Sequence, residues 1–238
     1  MYRKPLRTSL AAVTILLILT AACAEAPSSP PTALAPASRA AASLADAPAR
    51  STAMPVLFFV TGGPPTYAAV TPASPASTLL WDQRGKMPVI APDGHQVMLG
   101  EYLTATGHAT NKCINGATHT VLHFSHLLPN ATYTVWQLAF KAPGFQNDPN
   151  TNLIGLGALG PNDGSANAFH TSASGEGDLS AMTPPGPLSL FGVMGACALD
   201  EVEVQYVAAY HFDGRTYGGT PGPDGTFAEQ VGFDFQGH

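Results

Sequence analysis

The run DEVEVQYVAAYHF, residues 200–212, alternates along its whole length: Val202, Val204, Tyr206, Ala208, Tyr210 and Phe212 share one parity, and Glu201, Glu203, Gln205 and His211 share the other. Side chains on a strand change face at every residue, whereas a helix returns to the same face every three or four. The run therefore reads as a strand with one packed face and one wet face. A strand buries its packed face only against another layer of structure, so its neighbours decide the fold class.

Those neighbours are punctuated by glycine and proline at short intervals: APDG (91–94), LPNA (128–131), GPNDG (160–164), TPPGP (183–187) and PGPDG (221–225). Between them lie short apolar or alternating runs rather than helical periods. ATYTVWQLAF sets Trp136, Leu138 and Phe140 against Tyr133 and Val135, apolar on both sides, which predicts a central strand. Many short strands joined by turns predict an all-β fold, an antiparallel β-sandwich. Cys113 precedes the strand ATHTVLHF, and Cys197 precedes DEVEVQYV. A bridge between them brings the beginnings of two strands together, running the same way in facing sheets, which is immunoglobulin-like in architecture alone.

The N-terminal residues place the chain in an exporting context. Arg3, Lys4 and Arg7 precede an apolar run from Leu10 to about Ala22, which is shorter than the roughly 20 residues that span a bilayer and leads into small residues. LTAAC resembles a lipobox, with Thr20 standing where a larger aliphatic residue is usual, and makes Cys23 the lipidation site. The alternative is an A-x-A site cut after Ala24, which discards Cys23 and leaves a secreted chain. Either route leaves Cys113 and Cys197 as an even pair in an oxidising compartment, which favours a disulfide. Closing a loop of about 85 residues between them contributes roughly 4.5 kcal/mol in the chain-entropy account.

Residues 24–53 are rich in Ala, Pro and Ser and hold few large apolar side chains, a composition that cannot offset ordering entropy. The chain thus divides into a signal peptide (1–23), a disordered flexible linker (24–53) and a single β-sandwich domain (54–238). From Ser51 onward five basic residues, Arg84, Lys86, Lys112, Lys141 and Arg215, face fourteen acidic ones, a balance of 5 − 14 = −9. Nucleic-acid binding requires clustered Lys and Arg, so it is excluded as a function class.

The phrases GATHTVLHFSHLLPNATYTVW, LGALGPNDGSANAFHTSASGEGDLSAM and AAYHFDGRTYGGTPGPDGTFAEQVGF, in that order, resemble a group of uncharacterised bacterial exported proteins. The resemblance covers most of residues 97–234. It implies export, as lipoproteins, and a β domain, and carries no established activity or binding residues.

Three of the eight histidines, His119, His123 and His126, fall within ATHTVLHFSH. With Leu122 and Phe124 marking the core side, His119 and His123 share the opposite face, and His126 falls on the core-side parity. Four strand residues separate His119 from His123 by roughly 13 Å, too far for one ion whose nitrogen ligands lie about 2.0–2.1 Å away. Glu203 and His211 are the candidate partners from another strand. In parallel register from the cysteines Glu203 is level with His119, while His211 falls about eight residues further on, roughly 26 Å. The candidate metal ligands are therefore His119, His123, Glu203 and His211, with structural or solvent-facing roles as the competing reading.

The Asn and Asp residues of GPNDGSAN and QNDPNTN lack the spacing of a calcium loop and suit turns. The chain shows no G-x-S-x-G, no H-E-x-x-H, no phosphate loop and no cofactor fingerprint, so no catalytic residue and no cofactor is assigned. The expected protein is a noncatalytic binding or interaction module. It is held in the bacterial cell envelope by lipid at Cys23, and its ligand is a protein or small molecule. A periplasmic metal-binding protein or metalloenzyme is the alternative.

Overall fold

The computed structural model describes residues 48–141, 144, 152–187, 197 and 202–235. Among them are twelve strands and one helical turn: β1 (Ala49–Pro55), β2 (Val60–Thr61), β3 (Trp81–Asp82), β4 (Met87–Pro88), α1 (Leu99–Tyr102), β5 (Thr106–Ile114), β6 (Ala117–Ser125), β7 (Thr132–Phe140), β8 (Leu153–Ala158), β9 (Ala168–His170), β10 (Gly177–Thr183), β11 (Glu203–His211) and β12 (Phe227–Phe235). Nine of these strands form one antiparallel sheet in the order β10-β6-β5-β1-β12-β11-β7-β8, with β9 also paired to β7. The remaining three, β2, β3 and β4, form a small second sheet.

Strand β1 joins two halves of the large sheet. Ala49–Thr52 pair with β5, and Ala53–Pro55 pair with β12 on the other side. The next hairpin, β5–β6, turns through Asn115 and Gly116, both at positive φ, the backbone that a two-residue hairpin loop needs to match strand twist.

The sheet curls so that its halves share one interior. Phe124 of β6 stacks on Phe169 of β9 at 4.9 Å between ring centroids, and Phe169 stacks on Tyr133 of β7 at 5.4 Å. A Cβ on Gly177 would stand 2.5 Å from the Phe169 ring, so this close approach requires glycine at the start of β10. Asn111 of β5 spans the interior, donating to the Tyr206 hydroxyl at 2.7 Å and accepting from Thr120 at 3.0 Å. Those bonds satisfy polar groups that burial would otherwise penalise. Segment 56–105 closes over the sheet, anchored where Tyr102 donates to the Glu229 carbonyl and Tyr210 to the Ile90 carbonyl.

The all-β antiparallel character follows the alternation, as do several faces. On β6, Thr118, Thr120, Leu122 and Phe124 are buried while His123 is exposed, and β10 alternates buried and exposed throughout. Strand β7 is central, flanked by β11 on one side and by β8 and β9 on the other. Cys113 and Cys197 are joined in a disulfide across a sequence separation of 84.

Three expectations change. The face of β11 that carries Glu203, Gln205 and His211 is not wet: all nine residues of the strand are buried. It lies between β12 and β7, and a second apolar cluster of Trp136, Ala158, Ala209 and Phe227 covers that side. His126 is exposed, because its positive φ of 59° takes the chain out of β6 and ends the parity there. Residues 49–53, read as the end of the linker, belong to β1 and are held by backbone pairing, which composition does not register. The signal peptide, Cys23, linker residues 24–47 and the turn QNDPNTN up to Thr151 lie outside the described residues.

Candidate functional site

The covered face of β11 is the floor of a cavity. Gln205 and Val207 of β11, Trp136, Leu138 and Phe140 of β7, Leu153 and Leu156 of β8, and Glu229 of β12 all reach it. Met54–Phe59, the end of β1 and the chain leaving it, forms one wall and Pro221 closes another. The volume is about 450 Å³, within the size of small-molecule sites, and the lining is mainly apolar with Arg84, Gln205 and Glu229 as its charged or amide side chains.

Glu229 faces this cavity because of a bulge. On β12, Val231 pairs with Ala208 while Glu229 pairs with Ala209, so two residues of β12 are matched to one step of β11. The extra residue, Gln230, turns into the core, where it accepts from the Tyr133 hydroxyl and donates to the Tyr102 carbonyl at 3.0 Å. Val231 packs in the same interior. Residues 229 and 231, which an unbroken strand would send the same way, therefore point to opposite faces.

Arg84 meets Glu229 from the β3–β4 turn. The Asp82 carboxylate accepts from the backbone N–H of Gly85 at 2.7 Å, of Arg84 at 3.4 Å and of Gly225 at 2.9 Å, pinning that turn to the loop before β12. The Arg84 guanidinium then lies 3.5 Å from the centroid of Phe59, 4.9 Å from that of Phe227 and 2.9 Å from Glu229 Oε1. Stacking on ring faces and a carboxylate partner are what a planar, weakly hydrated cation favours in a partly desolvated place. Burial pushes the Glu229 carboxyl above its ordinary pKa, and Arg84 opposes that shift. The site thus offers an apolar body with one compact charged pair at its edge.

The four metal candidates are not gathered. His119 bonds Ser180 at 3.0 Å on the outer face of β6 and β10, with Lys112 and Met182 directly across from it. His123 bonds Asp178 on the same face. Glu203 is buried at the start of β11, accepting from Gln205 at 3.0 Å. His211, at the far end of β11, bonds the Thr134 hydroxyl at 2.7 Å, and burial holds its pKa down at about 4. Among the described residues no group of three or more His, Cys, Asp or Glu is placed to hold a metal ion. In GPNDGSAN the Asp163 carboxylate accepts from the Ser165 N–H at 2.9 Å, a turn contact, and that bonding lowers its pKa.

Arg84 and Glu229, the charged residues of the cavity, escape a reading by motif because 145 positions separate them. The Gly85 that follows Arg84 and the PGPDG loop mark two turns; only their convergence on Asp82 makes a site. No protein-family model, no curated protein and no solved structure matches the chain.

Proposed function

We propose that this protein is a noncatalytic binding module of the bacterial cell envelope, tethered through lipid at Cys23 and carrying its ligand in the cavity outside β11, β7 and β8. In this reading the two halves of the curled sheet serve as the facing layers of an immunoglobulin-like sandwich. The ligand is a small molecule with an apolar body and a polar group that meets Arg84, Glu229 or Gln205. The observation that carries the proposal is an apolar cavity of about 450 Å³ edged by a stacked, paired arginine. Apolar lining supplies affinity, and a few fixed polar groups set orientation. Among the described residues none of the lining side chains is a serine, cysteine, lysine or histidine, which favours binding over acyl transfer or hydrolysis there.

A solvatochromic apolar dye tests the site. Dye fluorescence is expected to rise on the wild type, and Leu138→Trp, which fills the cavity from the β7 side, is expected to weaken binding by about tenfold or more, since lost apolar contact and steric exclusion act together. Thermal denaturation shows that the variant is folded. Unchanged dye affinity in a folded Leu138→Trp protein, or no dye binding to the wild type, overturns the proposal.

A further inference from the structure

On the outer face of the other half of the sheet, three residues stand in one cross-strand row: His108 of β5, His123 of β6 and Asp178 of β10. We propose that His108 and His123 together form a bidentate site for a divalent transition-metal ion such as zinc or nickel, with Asp178 as the residue that orients His123.

Directly opposed strand residues have Cβ atoms about 4.5–5.5 Å apart, so two opposed imidazoles start within reach of one ion. The rings of His108 and His123 lie 4.6 Å apart between centroids, inclined by 28°. Two nitrogens each about 2.05 Å from a tetrahedral ion stand about 3.3 Å apart, so the two exposed rings must rotate about their side-chain bonds out of the stacked arrangement for their lone pairs to converge on one ion. His123 Nδ1 lies 2.5 Å from Asp178 Oδ1. A carboxylate only accepts, so Nδ1 carries the proton and the Nε2 lone pair is left for a metal. The same carboxylate–imidazole pairing fixes ring orientation around bound metals.

His119 lacks these features. It shares the face, but its neighbours across the ladder are Lys112 and Met182, and its Nε2 already bonds Ser180. The His108–His123 row is open to solvent, and His108 borders a shallow trough formed with Arg50, Thr52 and Thr110. Two protein nitrogens leave the remaining coordination positions to water or to a ligand carried by the ion. Imidazole donors suit zinc, nickel and copper rather than magnesium or calcium.

The test is calorimetric titration of the untagged full chain with zinc chloride and with nickel chloride. One ion per chain is expected. His108→Ala and His123→Ala are each expected to lower the affinity at least about tenfold, and Asp178→Asn by about tenfold, while His119→Ala leaves it unchanged. All four positions lie on the outer face, so thermal denaturation of the variants serves as the folding control. Absence of saturable binding, binding undiminished by His108→Ala, or equal loss in His119→Ala overturns the proposal. A bound ion at this row and dye binding in the cavity are separate readouts, so either proposal stands or falls alone.

Discussion

His211 is buried with one ring nitrogen spoken for and the other alone. The Thr134 hydroxyl accepts from Trp136 Nε1 at 2.8 Å and lies 2.7 Å from His211 Nε2. Thr134 thus holds one ring nitrogen, while Nδ1 has no hydrogen-bond partner. Charging this ring in place is unfavourable: burial lowers its pKa from 6.5 to about 4, with Asp213 pulling weakly the other way. Between those two values the unfolded chain binds the proton and the folded chain does not, so stability falls as pH drops through the window and is fully present above it. At about 1.36 kcal/mol per pH unit the loss is on the order of 3 kcal/mol. Denaturant midpoints measured from neutral pH down to about pH 4 are expected to decline, and His211→Gln is expected to remove most of that decline. A wild-type profile that is flat across the window rejects this account.

At the scale of elements, the cavity depends on two departures from regularity, the bulge at Gln230 and the turn held by Asp82. Asp82→Ala would leave three backbone N–H groups short of their acceptor in a place that is almost dry. A loss of about 2–3 kcal/mol in stability is expected from urea unfolding, together with weaker dye binding as Arg84 loses its position. Retention of both stability and dye affinity would show that the turn holds without the carboxylate. These elements also mark where sequence stops being legible. Alternation assigned the faces of β6 correctly because that strand has one open side. It misassigned β11 because Glu203, Gln205 and His211 are polar yet covered, and parity records side-chain type rather than what lies above it. Asn115-Gly116 was readable as a hairpin signal. The Gln230 bulge was not, since FAEQVGFDF contains no residue that demands it and only the partner strand reveals the extra position.

Over the whole molecule, the even cysteine pair, read with an expected export, pointed to the disulfide that joins Cys113, next to the end of β5, to Cys197, six positions ahead of β11. Strand order was not legible, because β10 reaches back to β6 and β12 to β1, pairings set by the curled interior rather than by any local run. The row of His108, His123 and Asp178 was hidden for the same reason, though His123 itself was picked out. The proposed tether is tested on the mature chain: mass spectrometry is expected to find an N-terminal, acylated Cys23, and an unmodified N-terminus after Ala24 would remove the anchor. Any load carried through the residues ahead of Ala49 enters the sheet at β1, which lies between the two halves instead of at an edge. Pulling β1 out along its length shears its bonds to β5 and to β12, so the strand that follows the N-terminal segment is also the one whose extraction would divide the sheet. Tension on the chain ahead of Ala49 therefore falls on the strand that holds the two halves together.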